Sequence, residues 1–350
     1  MLCFLSLQPR GAVQRVPPHK VSLFREHHKV RTWTTRFRPS QSKIQTQTQT
    51  QTAAQTPAPI KPSIPLAQRI PPGSWDSHMH VVEPQRHPMS PDALYTPRPY
   101  TLAQAQTFEA SVGMQNVVLV QPSIYAFDNS CLLEALKEIG PSRGRGVVVI
   151  DPDAIHPETL AQWHALGVRG VRVNLKSVGK VMTGSELAKT LEKHADVVRP
   201  LGWVIQVYVS LDMMPALEQC VPQLGVKVCV DHFGAPDLSS VTADSSFDPY
   251  ALPGFSSLVA LLKRGKTYVK LSAPYRLSRD PQMRDIRVLA RELLRVARDR
   301  VVYATDWPHT RFEGVDIRPF TEMCLQLCAG DQELAERLFR RNAEELWDVR

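Results

Sequence analysis

The chain has 350 residues, of which 43% are hydrophobic and 22% charged, with 29 Pro and 17 Gly. This length and apolar content suffice for one large α/β domain or two smaller ones, and they exclude collagen-like, wholly disordered and small disulfide-stapled classes. No apolar run reaches the roughly 20 residues that a membrane-spanning helix requires, so we expect a soluble protein without a membrane partner.

The net charge of +8 belongs to the N-terminal segment. Residues 1–65 hold ten Lys or Arg and a single acid, a net charge of +9, whereas the remainder has a net charge of −1. The basic segment contains no nucleic-acid recognition motif, so we expect no nucleic-acid partner. The six cysteines lack metal-finger spacing, which indicates free thiols in a reducing compartment.

Residues 1–72 are predicted to form a disordered extension, and residues 73–350 a folded domain. The extension is Arg-rich at its start, continues into a Gln-Thr repeat over 45–52, and ends in a Pro-rich stretch. This composition fits a mitochondrial transit peptide, while an untargeted extension of a cytoplasmic protein fits as well. Secretion is not expected, because no basic residue precedes the short apolar run at the N-terminus.

From Trp75 onward, short segments dense in Val, Ile and Tyr alternate with amphipathic, helix-like segments. The predicted strands are Trp75–Val82, Asn116–Gln121, Gly146–Asp151, Val168–Leu175, Trp203–Val209, Val226–Asp231, Thr267–Ser272 and Val301–Asp306. Nearly continuous apolar strands are typical of parallel sheets that are buried on both faces. Eight strand–helix repeats predict a (β/α)8 TIM barrel; no GxGxxG motif supports the competing doubly wound sheet.

Ionisable side chains recur where three of these strands end. Strand 1 ends in Asp76-Ser-His78-Met-His80, strand 6 in Asp231-His232, and strand 8 in Thr305-Asp306. Strand periodicity predicts that Asp76, His78 and His80 share one face. Since barrel enzymes build their active sites at these strand ends, we expect three imidazoles and a carboxylate to meet in one mouth.

The order of the motifs DSHMHV, VRGVRVN, VDHFGAPD and YATDWPH resembles the amidohydrolase superfamily, in its amidohydrolase-related branch. Within that branch it is most similar to the 2-pyrone-4,6-dicarboxylate lactonase group. The resemblance runs from about Trp75 to Trp347. It implies that Asp306 activates water and that His78, His80 and His232 polarise the carbonyl of a lactone.

The resemblance also bears on metal content. Metal-binding members of the superfamily usually have a histidine at the end of strand 5, where this chain has Gln206 and Tyr208. Members with two metals also need a bridging lysine or glutamate, whereas strand 4 ends here in Asn174. Two metals are therefore not expected. The lactonase group works without metal, so we expect no cofactor; the alternative is one Zn²⁺ held by His78, His80, His232 and Asp306.

Cations near the strand ends predict a carboxylated small molecule as substrate. In the lactonase group, arginines at the positions of Arg172 and Arg276 bind substrate carboxylates, as their planar guanidinium groups allow. The group's second arginine after strand 4 is missing here, and Lys176 and Lys180 are candidate substitutes. Further candidate substrate contacts are Tyr95, Ser123, Tyr208 and His309.

Three functions remain open at this point. The first is a lactone hydrolase for a carboxylated ring, including rings derived from aromatic compounds. The second is a mononuclear zinc decarboxylase or hydratase on the same barrel, which the missing strand-5 histidine disfavours. The third is a non-catalytic binder of small molecules, which the presence of His78, His80, His232 and Asp306 together disfavours.

Overall fold

The computed structural model describes residues 64–239, 241 and 247–349. Within these residues eight strands follow one another along the chain: β1 (Trp75–Met79), β2 (Asn116–Val120), β3 (Gly144–Val148), β4 (Val168–Asn174), β5 (Val204–Tyr208), β6 (Val228–Val230), β7 (Thr267–Leu271) and β8 (Val301–Tyr303). The strands are parallel, and their order in the sheet is the order of the sequence.

The two edges of the sheet meet. The backbone N–H of His80 donates to the carbonyl of Trp307 (2.8 Å), and the N–H of Asp306 donates to the carbonyl of His78 (2.9 Å). These bonds join the end of β1 to the segment after β8 and nearly close the ring. The predicted (β/α)8 barrel is thereby confirmed, and the sequential strand order excludes a doubly wound sheet.

Helices connect the strands on the outside of the barrel. Their bounds are α1 (Leu66–Arg69), α2 (Leu102–Val112), α3 (Ser130–Ile139), α4 (Pro157–Leu166), α5 (Gly184–Val198), α6 (Met214–Cys220), α7 (Phe255–Lys263), α8 (Pro274–Leu277), α9 (Arg284–Ala297), α10 (Arg318–Leu327), α11 (Gln332–Glu336) and α12 (Asn342–Leu346), with a π-helical turn at Arg337–Arg341. Capping boxes begin two of them, Thr101 with Gln104 before α2 and Thr183 with Glu186 before α5.

Two apolar layers surround the sheet. Outside, the helices bury their inner faces against the strands; inside, a second cluster fills the barrel. Trp347, which follows α12, is fully buried in that inner cluster beside Trp75. Its indole N–H reaches Ser77 Oγ (3.4 Å), and its carbonyl accepts a hydrogen bond from Arg145 (3.0 Å). The C-terminal segment thus closes the amino-terminal end of the barrel, so the opposite end is left for the site.

Strand β3 begins two residues earlier than predicted and ends before the predicted boundary. Its last residue is Val148, because the side chain of Asn129 takes over the backbone hydrogen bonds of the next residue. Asn129 Nδ2 donates to the carbonyl of Val149 (2.8 Å), and Val149 N–H donates to Asn129 Oδ1 (2.9 Å). A side chain from the segment between β2 and α3 therefore ends the strand.

The folded domain begins before residue 73, the predicted boundary between the extension and the domain. Helix α1 precedes it, Ile70 is buried in the outer core, and Arg69 donates to Glu322 of α10 (2.8 Å). The prediction of disorder is therefore wrong for the last residues of the 1–72 segment, since an apolar and a charged side chain find partners on the domain. The rest of that segment, with the transit-peptide hypothesis, lies outside the described residues.

Two further expectations concern the described part of the chain. In it, no helix combines the length and the apolar character needed to cross a bilayer. The five cysteines that the structure describes are free thiols, and all but Cys220 are buried.

Candidate active site

Three histidines and one aspartate meet at the carboxyl end of the barrel. The Nε2 atoms of His78 and His80 each lie 3.6 Å from Oδ1 of Asp306, and the Nε2 atom of His232 lies 3.9 Å from it. All four side chains are buried. The structure therefore brings together the constellation that the strand ends predicted, around a single carboxylate oxygen.

Asp76 does not join them, although strand periodicity placed it on their face. The pairing of β1 with β2 shifts register between Asp76 and Met79, which marks a β-bulge. The bulge turns Asp76 out of the barrel, where its carboxylate accepts hydrogen bonds from the backbone N–H groups of His78 and Thr305 (both 2.9 Å). Bulges re-aim side chains in this way, and the sequence periodicity does not reveal them.

Two of the four site residues have left-handed backbone conformations. The φ angle is +49° at His232 and +62° at Asp306. Such angles are costly for residues with a Cβ atom, and they occur where the surrounding structure demands a particular direction of the side chain. Here the turns after β6 and β8 aim both side chains across the mouth.

Asp306 is held from the side that faces away from the histidines. Its Oδ2 atom accepts hydrogen bonds from the Tyr275 hydroxyl and from Nε of Arg276, both at 2.7 Å. Burial alone would raise the pKa of Asp306, but the Arg276 guanidinium and the imidazoles of His232 and His80 outweigh it and hold this pKa well below its ordinary value. The carboxylate is therefore ionised, and its Oδ1 atom is directed at the imidazoles.

Tyr275 was not among the predicted site residues. It lies on the four-residue helix α8, directly before Arg276, in a segment whose helical turn the strand–helix pattern does not indicate. Its position beside a candidate arginine was the one available signal.

The second ring nitrogens of two histidines are fixed by neighbours. His80 Nδ1 lies 2.7 Å from the carbonyl oxygen of Val120, and His232 Nδ1 lies 2.7 Å from the hydroxyl of Ser272. A carbonyl can only accept, so His80 carries its proton on Nδ1 and, when neutral, has a lone pair on Nε2. Burial lowers the pKa of His232 to about 4, so its ring is neutral at neutral pH.

Behind His78 lies a buried ion pair. Lys270 Nζ is 3.2 Å from Oδ1 of Asp231 and 3.3 Å from Nδ1 of His78. On the other carboxylate oxygen, Gln206 donates at 3.0 Å and Arg172 Nη2 lies at 3.6 Å. Burial would raise the pKa of Asp231, but Lys270 and His78 outweigh it and hold the pKa well below its ordinary value. Lys270 was missed from the sequence because it lies within an apolar strand.

A small pocket opens above Asp306, His80 and His232. Most of the side chains predicted to contact substrate line it, namely Tyr95, Ser123, Arg172, Tyr208 and Arg276. Arg172 also donates to the carbonyl of Gln121 (2.8 Å), and its guanidinium lies 6.0 Å from the Tyr208 ring centre. Their roles in binding stay predictions.

Two expectations about the pocket differ from the structure. His309 is buried against Phe108 and Tyr275, with ring centres 5.7 and 5.3 Å away, and is not part of the lining, because the turn after β8 directs it to the outer layer. Lys176 and Lys180 do not line the pocket either; Lys176 donates to the carbonyl of Ala235 (3.5 Å).

Arg311 provides the additional cation at the pocket instead. It lines the pocket, and its guanidinium lies 4.8 Å from the ring centre of Tyr95. The residue follows β8, so it approaches from the opposite side of the mouth to the loop after β4, where the sequence suggested the two lysines.

The donor set suits one metal ion. One ligand atom each from His78, His232 and Asp306 lies within 4.8 Å of the others, His80 Nε2 is close by, and His78 Nε2 has no hydrogen-bond partner among the described residues. Imidazole nitrogens with a carboxylate oxygen are ligands that Zn²⁺ accepts, so these residues could hold one.

Comparison with known proteins gives the chain's relatives. The sequence model of the amidohydrolase family matches residues 75–349. A 4-sulfomuconolactone hydrolase from Hydrogenophaga intermedia is 31% identical over 292 residues, which cover 81% of this chain and 91% of that protein. A 2-pyrone-4,6-dicarboxylate hydrolase from Comamonas testosteroni is 31% identical, covering 72% of this chain and 80% of that protein.

Solved structures show the same architecture. A putative 2-pyrone-4,6-dicarboxylic acid hydrolase from Pseudomonas putida is 30% identical, with a TM-score of 0.65, covering 79% of this chain and 98% of that one. An amidohydrolase from Burkholderia multivorans, solved with bound zinc, is 18% identical with a TM-score of 0.61, covering 79% of this chain and 99% of that one; it shares the fold.

Proposed function

The chain belongs to the amidohydrolase family, and we propose that it hydrolyses a lactone of a small, negatively charged molecule. The observation that supports this most directly is the charge of the pocket. Three arginines line it, Arg172, Arg276 and Arg311, against the single carboxylate of Asp306. An anionic substrate would offset this excess of positive charge. Two relatives that are 31% identical to this chain over the aligned residues are named 4-sulfomuconolactone hydrolase and 2-pyrone-4,6-dicarboxylate hydrolase.

The arrangement around Asp306 Oδ1 supports activation of water. Oδ1 and, in the Nδ1–H form of the ring, the Nε2 lone pair of His80 are two acceptors 3.6 Å apart. A water molecule between them would donate one proton to each, and the carboxylate would take up a proton as the oxygen attacks. His80 thus shares the water with Asp306, rather than donating to the carbonyl as the sequence analysis expected of all three histidines.

His232, which lines the pocket, and His78, whose Nε2 atom is directed at the same oxygen of Asp306, would then lie towards the carbonyl of the lactone. As the water oxygen adds to the carbonyl carbon, the carbonyl oxygen becomes an oxyanion, which N–H donors at the Nε2 atoms of both residues would stabilise. A pre-aimed donor at an oxyanion lowers the free-energy barrier by about 3 kcal/mol. When the ring C–O bond breaks, the leaving oxygen takes the proton from Asp306 and becomes a hydroxyl group. The former carbonyl becomes a carboxyl group, which the product carries in addition to the anionic group of the substrate.

Arginines at the rim would bind the substrate's anionic group. The Arg276 side chain uses Nε on Asp306 (2.7 Å) and one Nη2 hydrogen on the carbonyl of Thr310 (3.2 Å), which leaves donors for a ligand. Arg311 lies at the same pocket on the ring of Tyr95. Ser123 and Tyr208 add hydroxyl groups to the lining.

We infer that this hydrolysis proceeds without a metal. Three arginines and one carboxylate line the pocket, and a Zn²⁺ ion would add two further positive charges before substrate binds. If bound, Zn²⁺ held by His78, His232 and Asp306 would supply a Lewis acid for the carbonyl oxygen. The surrounding cations make such binding less favourable.

The test combines metal analysis with a panel of carboxylated and sulfonated lactones. We expect metal-poor protein to hydrolyse at least one member of the panel, and a chelator to leave the rate unchanged. Asp306→Asn should lower kcat by about 10³-fold, whereas Asp316→Asn, at an ion pair with the exposed Arg318, should not.

About one Zn²⁺ per chain with activity lost on chelation would instead favour the zinc decarboxylase or hydratase. Binding without turnover, unchanged in Asp306→Asn, would favour a non-catalytic binder.

A further inference from the structure

The active-site pocket is almost closed. Its free space is about 20 Å³, enough for about one water molecule. The reactive side chains around it are shielded from solvent, with exposed fractions of 6% for His80 and 1% each for His232 and Asp306. A lactone is several times larger than a water molecule. A substrate of that size can therefore reach these side chains only if part of the pocket wall moves.

Two side chains form the outer edge of this wall. Of the described residues that line the pocket, only Arg311 is exposed to solvent, and Tyr95 beside it is half-buried. The Arg311 guanidinium lies 4.8 Å from the centre of the Tyr95 ring. Tyr95 belongs to the loop after β1 and Arg311 to the segment after β8, so their contact joins two loops over the pocket. A cation–ring contact at an exposed position is weak, and it can break and re-form.

The loop after β1 is loosely held on either side of Tyr95. The N–H of Ser90 donates to a carbonyl of the segment after β2 (2.8 Å), and Tyr100 pairs with Val82 through two backbone hydrogen bonds (2.7 and 2.9 Å). Between these fixed points, the hydrogen bonds described for residues 91–96 reach no further than Ser90. Residues 91–96 can therefore move as a unit, with Ser90 and Tyr100 as the hinges.

The segment that carries Arg311 is also held by few contacts. The φ angle of Arg311 is +68°, which is unfavourable for a residue with a Cβ atom, and its N–H donates to Glu313 within the same segment (3.2 Å). No other element fixes the backbone of Arg311 among the hydrogen bonds described. Its packing on Tyr95 thus connects two segments that are each free to separate.

We propose that residues 91–96 form a lid over the active site, and that Arg311 holds the lid closed by packing on Tyr95. Separation of the guanidinium from the ring lets the lid swing about Ser90 and Tyr100, and a small molecule then reaches the pocket. Closure over a bound molecule excludes water, which strengthens ionic contacts inside the site. The lid follows from the closed pocket; that it admits an anionic lactone rests on the proposed function.

Chemical modification of histidines measures opening of the lid without any turnover. Diethyl pyrocarbonate reacts with neutral imidazoles and is too large for the free space of the closed pocket. His80 and His232 should therefore react only when the lid is open, whereas the exposed His156 reacts at all times. Peptide mass spectrometry gives a rate for each histidine, relative to the same histidine in urea-unfolded protein. In the wild-type protein we expect relative rates for His80 and His232 at least about ten-fold below that of His156.

Variants at the contact test whether it holds the lid. Arg311→Gln removes the cation and Tyr95→Leu removes the ring, so each should speed the modification of His80 and His232 about five-fold. Tyr95→Phe keeps the ring and should stay within about two-fold of wild type. Arg318→Gln, at a surface ion pair with Asp316, is the matched control. The double variant Arg311→Gln/Tyr95→Leu should react no faster than either single variant, because both break the same contact.

Several outcomes would overturn the proposal. Wild-type rates for His80 and His232 equal to that of His156 would mean that the pocket is open. Unchanged rates in the single variants, or additive gains in the double variant, would mean that Arg311 does not act through Tyr95. If Tyr95→Leu does not fold, Arg311→Gln decides alone, because Arg311 is exposed. Faster modification without hydrolysis of any lactone would leave the lid in place and refute the proposed function; hydrolysis with unchanged modification would do the reverse.

Discussion

The Tyr275 hydroxyl donates to Oδ2 of Asp306 at 2.7 Å, and it thereby turns the other carboxylate oxygen towards the three imidazoles. Arg276 binds the same Oδ2 atom at the same distance. A carboxylate held by two donors on one oxygen is pre-oriented, so its free oxygen needs little reorganisation during catalysis.

Replacing Tyr275 with Phe removes one of these two donors. We expect kcat to fall about five- to ten-fold, equivalent to about 1 kcal/mol, with KM within two-fold of wild type, because the tyrosine orients the base and does not line the pocket. Steady-state kinetics on a lactone substrate measures this. Tyr250→Phe is the matched control, since that hydroxyl binds Glu292 on the surface (2.6 Å) and its side chain is 42% exposed. Equal rates for Tyr275→Phe and wild type would show that Arg276 alone orients Asp306.

Arg311 should affect substrate binding more than turnover. The residue lines the pocket but contacts neither Asp306 nor the histidines among the contacts described. Loss of one ionic contact to an anionic group costs about 1.5–3 kcal/mol, so Arg311→Gln should raise KM by about ten-fold or more and change kcat little. Arg318→Gln, at a surface ion pair with Asp316, serves as control. An uncharged lactone should lose no affinity, and a loss there would contradict an ionic role.

The contact between His164 and Trp203 predicts a pH dependence of stability. The indole N–H of Trp203 donates to Nδ1 of His164 at 2.9 Å, and the two ring planes are within 3° of parallel. Burial and the nearby Arg169 lower the pKa of His164 below its ordinary 6.5. The unfolded chain therefore binds a proton first as pH falls, and stability is lost from about pH 6.5 down to the folded-state pKa.

Urea unfolding between pH 7.5 and 5.5 measures this effect. The midpoint should fall less in His164→Gln than in wild type, because glutamine retains an acceptor for Trp203 and does not titrate. His156→Gln is the matched control for the substitution itself, because His156 is exposed and precedes the same helix α4. Identical slopes for wild type and His164→Gln would place the titration elsewhere.

Trp347 should be essential for the stability of the barrel. It is fully buried in the inner cluster and contacts Ser77 and Lys270. Trp347→Ala removes a large side chain from a packed interior, so the free energy of unfolding should fall by about 3–5 kcal/mol. Trp163→Ala on the partly exposed face of α4 should cost clearly less. Denaturant unfolding compares the two, and equal losses would mean that the C-terminal segment does not close the barrel.

The sequence by itself predicted the architecture and most of the site. Strand and helix periodicities repeat eight times, and strand ends in a barrel share one mouth, so His78, His80, His232 and Asp306 could be grouped before any coordinates. Arg172 and Arg276 were proposed from the resemblance to the lactonase group, and Tyr208 from its place at the end of strand 5. These inferences succeed because they depend on local patterns and on a topology that fixes where strand ends lie.

Tertiary structure alone decided the remaining features. The bulge that turns Asp76 outward, the helical turn that brings Tyr275 to Asp306, and the position of His309 in the outer layer depend on backbone angles that the periodicity does not encode. Lys270 lies among apolar residues of a strand, and its partners Asp231 and His78 are 39 and 192 residues away in the chain. The ring nitrogen of His80 that carries the proton, which the carbonyl of Val120 decides, is likewise fixed only when residues distant in the chain are packed together.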